Sequence, residues 1–259
     1  MTIQTKPRAA ALHWQARHHR FTPHFHTDFA ISLILRGHCR FTVGDASHDA
    51  AAGQFSLINP FDVHTAHCGD DLEYRVIYCG EAYLEALLPG LQGALLSFAS
   101  VVFEDDVLFD ALRDILETGG APDTTRAPLA PVLRDLFSSD AVAVRDRVDG
   151  GAFRSRVAAL FERRAAEPES FSIAGLSAEL GLSPAHFSRL FHRHFGVPAV
   201  FYRNQIRLER AAALIGQGAS PADVAFACGF SDQSHFTREL KKARGLTPRS
   251  YSAVYRALD

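Results

Sequence analysis

The amino-acid sequence predicts an α+β chain of more than one domain: an N-terminal antiparallel β-barrel with helices after it, then an all-α part holding two helix-turn-helix units. Three observations predict this. An internal repeat lies in the last third, a series of short β-prone runs lies in the first third, and the two parts carry opposite charge. The repeat aligns Phe187-Ser188-Arg189-Leu190-Phe191-His192-Arg193, then Gly196, with Phe236-Thr237-Arg238-Glu239-Leu240-Lys241-Lys242, then Gly245, at an offset of 49 residues. A turn with glycine precedes each copy, Gly181-Leu182-Ser183 and Gly229-Phe230-Ser231. Helix, glycine turn and a second helix with one apolar and one basic face is the helix-turn-helix pattern. Residues 153–259 hold 15 Lys/Arg against 9 Asp/Glu, and residues 1–152 hold 12 against 20. The basic part therefore suits a polyanion and the acidic part does not.

The β-prone runs are Ile31-Ser32-Leu33-Ile34-Leu35, Cys39-Arg40-Phe41-Thr42-Val43, Gln54-Phe55-Ser56-Leu57-Ile58 and Tyr74-Arg75-Val76-Ile77-Tyr78. Gly37, Gly44-Asp45, Gly53 and Asn59-Pro60 punctuate them, as expected of short antiparallel strands in a barrel or sandwich. From Glu81 the pattern turns helical. Phe109, Leu112, Ile115 and Leu116 form an apolar stripe, Gly119-Gly120-Ala121-Pro122-Asp123 breaks it, and a second helix is expected over Pro131–Phe137. The stripe is a candidate dimer surface, unless it packs on its own barrel. The expected domains are residues 1–80 for the barrel, 81–147 for a helical region, 148–152 for a linker, and 153–259 for the DNA-binding part.

Helix starts in the last part are marked by a hydroxyl before a proline: Ser183-Pro184, Ser220-Pro221 and Thr247-Pro248. On the helix from Pro184, Phe187, Leu190, Phe191 and His194 share a docking face that Leu176 and Leu180 can receive. Ala185, Ser188, Arg189, His192 and Arg193 share the other face, and Gln233, Ser234, Thr237, Arg238, Lys241 and Lys242 repeat it. Short polar and basic groups suit a major groove. Ala185, Ser188, Arg189, Gln233, Ser234 and Arg238 are the candidate base contacts. His192, Arg193, Lys241 and Lys242 are the candidate phosphate contacts, which position rather than specify. The helix between the units, about Ala199 to Ile215, is ~25 Å long. That length could hold two recognition helices in successive major grooves, ~34 Å apart. The partner implied is double-stranded DNA.

At these residues the chain resembles the AraC/XylS transcription regulators. The stretch Ala225-Phe226-Ala227-Cys228-Gly229-Phe230-Ser231-Asp232-Gln233-Ser234-His235-Phe236-Thr237-Arg238-Glu239-Leu240-Lys241-Lys242, then Gly245-Leu246-Thr247-Pro248, is close to that family's signature. It departs at Glu239-Leu240, where an aromatic before the basic pair is usual. His24-Phe25-His26, Gly37, Gly44, Gly53 and Asn59-Pro60-Phe61-Asp62-Val63-His64 are similar to the cupin-like effector domain of the family. The resemblance implies a ligand-responsive regulator with a small-molecule effector in the barrel, a homodimer, RNA polymerase as a further candidate partner, and no enzyme activity.

His24, His26 and His64 are the candidate effector-pocket residues. The alternative is a cupin-type metalloenzyme or metal sensor using the same three imidazoles. Metal-binding cupins usually add a Glu; Ala30 stands where it is expected, and Asp28 comes too early. The expected cofactor is none and the expected metal is none. His67-Cys68 beside His64 offers a weaker soft-metal alternative. The four cysteines Cys39, Cys68, Cys79 and Cys228 form no CxxC pair and read as reduced thiols. Met1 to Pro7 contain no apolar stretch, and Pro89, Gly90 and Gly93 interrupt the longest uncharged run. The sequence therefore predicts no leader, no membrane span and a cytoplasmic location.

Overall fold

A computed structural model describes residues 9–15, 20–88, 95–98, 101–118, 129–138, 142–145, 151–165 and 172–258. The chain divides into two compact units, residues 1–146 with 254–259, and residues 147–253. The second unit is thus inserted in the chain of the first.

Unit 1 is built on β1 (Ala9–Gln15), β2 (Arg20–His24), β3 (Phe29–Arg36), β4 (His38–Val43), β5 (Ala46–Ala51), β6 (Phe55–Ile58), β7 (His64–Cys68) and β8 (Glu73–Cys79). Then come α1 (Glu81–Leu87), β9 (Leu95–Phe98), β10 (Val102–Phe103), α2 (Asp106–Thr118), α3 (Leu129–Ser138) and β11 (Val142–Arg145), and finally β12 (Tyr255–Leu258). One sheet runs β10-β6-β3-β8-β1-β12, a second runs β2-β7-β4-β5, and β11 pairs with β9. The expected antiparallel barrel or sandwich takes the form of two main sheets, barrel-like but not closed among the described residues, since their ladders end on β10, β12, β2 and β5.

The strand β3 is buried along most of its length. Phe29, Ile31 and Leu33 point to one face, and side chains alternate along a strand. These three pack with Phe55, Leu57 and Ile77 against Leu84 of α1, Phe109, Leu112 and Leu116 of α2, and Leu133, Leu136 and Phe137 of α3. Ala30 and Ile34 on the other face are buried too, so the strand reads as a near-continuous apolar run. The α2 stripe is therefore covered by the chain's own sheet, with Leu112 fully buried. This removes it as an open dimer surface. The region after Glu81 is also not purely helical, since β9, β10 and β11 lie within it. Residues 119–123 and 148–150 lie outside the described residues.

Unit 2 holds α4 (Gly151–Ala165), α5 (Ile173–Glu179), α6 (Pro184–Phe195), α7 (Ala199–Gly216), α8 (Pro221–Ala227), α9 (Gln233–Arg244) and α10 (Pro248–Val254). The prolines start α6, α8 and α10 as the sequence predicts. Ser183, Ser220 and Thr247 accept backbone N–H bonds from His186, Asp223 and Ser250. The central helix α7 buries Tyr202, Ile206, Leu208, Ala211, Ala212 and Ile215. α4, α6, α8 and α9 all pack on it.

Candidate functional site

The first candidate surface is carried by α6. Its apolar side inserts Phe187, Phe191 and Phe195, all buried, into an aromatic cluster with Phe161 and Tyr202. Phe191 lies 4.3 Å from Phe195 and 5.2 Å from Tyr202 between ring centroids. Aromatic pairs at such spacing add to area burial. That packing turns the other side outward, where Ala185, Ser188, Arg189, His192 and Arg193 are all exposed. The docking face differs from expectation in one detail: Phe195 is buried, while Leu190 and His194 are half-buried. The Ser188 hydroxyl donates to the Pro184 carbonyl at 2.8 Å, so in this rotamer it can meet a base only as an acceptor. Leu176 of α5 is buried at the α5–α6 turn.

The second surface repeats the first on α9. Phe236, Leu240 and Ala243 are buried, and Gln233, Ser234, Arg238, Lys241 and Lys242 are exposed. Asp232 caps the helix by accepting the His235 N–H at 2.7 Å. That bond, with a second from the Ser231 hydroxyl, holds the Asp232 carboxyl below the usual carboxylate range. His235 is half-buried with its ring 5.6 Å from Phe230, which is a packing role, whereas His186 is exposed. Lys242 Nζ donates to Glu239 at 2.9 Å. Arg244, on the inner side, forms a buried ion pair with Glu209 of α7. The turns match as well: Gly181 has φ 68° and Gly229 φ 73°, a conformation in which only glycine is at ease.

The third cluster lies in unit 1. His24 ends β2 and is the register partner of His64, which starts β7. His26 lies two residues beyond β2, in the connection to β3. The three are buried, each about 5% exposed. Ring centroids are 4.2 Å apart for His24 and His64, 4.8 Å for His26 and His64, and 5.2 Å for His24 and His26. One ring nitrogen from each lies within 4.8 Å of the others. Tyr78 of β8 adds its ring 4.8 Å from His26. The sequence placed Tyr78 in a β-prone run but not in the pocket; its alternation in β8 was the available signal. His67 is exposed, and Cys68, four residues along β7 from His64, is not in the three-histidine group, so the expected His67-Cys68 alternative does not join this cluster. Cys68 instead faces Cys39 in register across β4 and β7. Their hydrogen bond lowers the Cys39 thiol and raises that of Cys68. All four cysteines are free and buried.

Family models for an AraC-like ligand binding domain and a helix-turn-helix domain match residues 7–139 and 176–253. The chain belongs to the AraC family of transcription regulators. It is 28% identical over 225 residues to the uncharacterized HTH-type transcriptional regulator YbfI of Bacillus subtilis, covering 83% of this chain and 81% of that protein. It is 33% identical over 85 residues to the arabinose operon regulatory protein of Escherichia coli, covering 32% of this chain and 29% of that one. An apo ToxT structure from Vibrio cholerae strain SCE256 shares the fold at TM-score 0.69 and 16% identity, over 95% of this chain and 96% of that chain. ToxT from the same strain with an unsaturated fatty acid bound matches at TM-score 0.65 and 16% identity, over 98% of each chain.

As a member of the AraC family the chain is a DNA-binding transcription regulator with an N-terminal ligand-binding domain. The metalloenzyme reading of His24, His26 and His64 finds no support in these relatives. Among the described residues, no helix is long and apolar enough to cross a membrane.

Proposed function

We propose that the chain reads two adjacent half-sites in duplex DNA with α6 and α9, and that an organic effector bound in unit 1 controls it. The observation that supports the first part is the equivalence of two exposed helix faces. Each is opposite a buried, largely apolar face, each is capped at its start, and each follows a left-handed glycine turn. Ala185, Ser188, Arg189, Gln233, Ser234 and Arg238 are assigned to bases. His192, Arg193, Lys241 and Lys242 are assigned to phosphates. His24, His26 and His64 are assigned to the effector pocket. Support for a small-molecule effector comes from the family's ligand-binding domain and from the fatty acid bound by ToxT.

The same reading includes a non-catalytic role, RNA polymerase as a partner, a homodimer, and a cytoplasmic location that suits four free thiols. For the dimer, residues other than the α2 stripe must supply the interface. The domain assignment proposed is residues 1–147 for sensing and 153 onward for DNA.

The test is a selection of bound sites from random duplexes by the wild type, Arg189→Ala and Arg238→Ala. Each variant is expected to lose preference in a different half-site. A bidentate arginine–guanine contact is worth ~1–3 kcal/mol of discrimination, about 5- to 150-fold. Unchanged preference in both variants would remove the arginines from base readout.

A further inference from the structure

Two of the four free cysteines stand directly opposite one another. Cys39 of β4 is the register partner of Cys68 of β7, and the ladder runs without a shift from there to Val43 and His64. The Gly44 N–H donates to the Val63 carbonyl at 3.0 Å, which continues the same register as a hydrogen-bonded pair. Hydrogen-bonded and non-hydrogen-bonded pairs alternate along an antiparallel ladder. Cys39 and Cys68 lie an odd number of steps from Gly44 and Val63, so theirs is a non-hydrogen-bonded pair. At such a pair the Cα atoms approach to ~4.5 Å with the side chains close together, inside the ~4.4–6.8 Å span that a disulfide bridges. The pair also closes an end of the ladder: β4 starts at His38 and β7 ends at Cys68, beside the exposed His38, Arg40, His67 and Asp70. The sulfurs themselves are nearly covered, Cys39 at 8% exposure and Cys68 at 4%. Only a small oxidant suits such a site.

We propose that Cys39 and Cys68 are a redox pair that a small hydroperoxide oxidises to a disulfide bridging β4 and β7. Cys39 is the attacking sulfur, because the Cys68 thiol donates to it and favours its thiolate, while burial and the same bond hold the Cys68 thiol up. The other contact of Cys39, to the Arg40 carbonyl at 3.9 Å, is long and needs the proton that the thiolate has lost. The thiolate attacks one peroxide oxygen, the O–O bond breaks, and an alcohol or water leaves with a proton. Cys39 is then a sulfenic acid. The Cys68 sulfur attacks that sulfur, the S–S bond forms, and the S–O bond breaks. The hydroxide leaves as water with the Cys68 proton. Two thiols and one hydroperoxide thus give one disulfide, one alcohol and one water, and the two electrons lost by sulfur reduce the peroxide. Cys79 and Cys228 lack this chemistry. Cys79 is fully buried and faces Ala9 and Phe29 across its ladders, and burial pushes the Cys228 thiol up to about 11. Alternation along β7 puts Cys68 on the face of His64, so the bridge would tie the strand that carries this histidine to β4. The oxidation does not rest on the effector reading.

The test uses the full chain, fully reduced and then freed of reductant. It is treated with hydrogen peroxide, quenched, unfolded in the presence of iodoacetamide, and mapped as peptides by mass spectrometry. The wild type is expected to lose two of its four thiols and to yield a linked Cys39–Cys68 peptide that dithiothreitol separates. Cys79 and Cys228 should be recovered fully alkylated. In Cys68→Ser the second thiol is gone, so Cys39 should stop at the sulfenic acid and be trapped by dimedone. In Cys39→Ser, Cys68 should stay an unmodified thiol. A thermal melt shows whether each variant is folded, and the linkage in the wild type decides the matter where one is not. The proposal is overturned if Cys39 and Cys68 remain alkylatable at a peroxide dose that oxidises free glutathione. It is overturned equally if Cys39 ends as a sulfinic acid without linkage, or if either cysteine links to Cys79 or Cys228 instead.

Discussion

The two helix-turn-helix units present the same outer face on different foundations. Under α6 lies a run of aromatic rings, Phe187, Phe191 and Phe195 with Phe161 and Tyr202. Under α9 lie Phe236 and Leu240, and then a charged contact, the buried Arg244–Glu209 pair that joins the helix to α7. The outer faces share an arginine, Arg189 and Arg238, and differ around it: Ala185 matches Ser234, His192 and Arg193 match Lys241 and Lys242, and Glu239 holds Lys242 on α9, while α6 carries no acidic residue. Position on the outer face is thus kept across the repeat while the means of fixing the helix is not. A recognition helix needs a fixed pose, and both an aromatic cluster and an ion pair supply one. They fail differently, and that difference can be measured.

The largest contrast is expected beneath the helices. Phe191→Ala removes packing from a fully buried ring and should cost ~3–5 kcal/mol. Glu209→Ala removes an ion-pair partner of the buried Arg244 guanidinium and should cost up to ~3–5 kcal/mol. The pair differs in rescue. Glu209→Leu combined with Arg244→Met should restore stability to near or above the wild type, because an apolar pair escapes the desolvation penalty. Urea unfolding of the three proteins decides this; a double variant no better than Glu209→Ala would make the ion pair irreplaceable.

A smaller effect should be equal in the two units. Gly181→Ala and Gly229→Ala each force a Cβ into a left-handed turn, at ~1–2 kcal/mol. At Gly181 a Cβ meets nothing within 4 Å, so the cost there is backbone alone. Unequal losses in thermal melts would show that the turns are not equivalent. The smallest effect concerns Glu239. Its bridge to Lys242 is an exposed i,i+3 pair, worth under ~1 kcal/mol to stability. Glu239→Gln should leave the melt unmoved, tighten DNA binding and steepen its salt dependence by about one ion. An unchanged slope in a binding titration would place Lys242 away from phosphate.

What could be read from sequence was local. The Ser-Pro and Thr-Pro caps, the glycine turns and the alternation of faces on α6 and α9 depend on neighbours within about four residues, and those starts were legible. The pairing of β1 with β8 and β12 joins residues as distant as Ala9 and Leu258. No periodicity in one segment announces a partner that far away, so the sheet order was not legible. The α2 stripe illustrates the same limit. Its spacing says that Leu112 and Leu116 need a cover, and not whether the cover is a second chain or β3. The histidines were found by their His-x-His spacing on an assumed strand. Yet β2 stops at His24, and His26 reaches the cluster from the connection beyond it. The Thr22 and Asp62 carbonyls, each 2.9 Å from the Nδ1 of His24 or His64, lie two residues before each ring, a relation that needs coordinates to see.

The backbone at Phe61 has one more consequence. Among the described residues it is the non-glycine residue with positive φ, at 64°, where a side chain with a Cβ costs ~1–2 kcal/mol. Its ring stays near Phe25, 5.8 Å between centroids, so contact and strain pull on the same residue in opposite directions. The sensing unit therefore sits below the stability its own fold would permit, and the shortfall is confined to one loop. The strained residue is also a tie between the two histidine-bearing segments, since the Phe61 N–H donates to the His26 carbonyl at 2.8 Å.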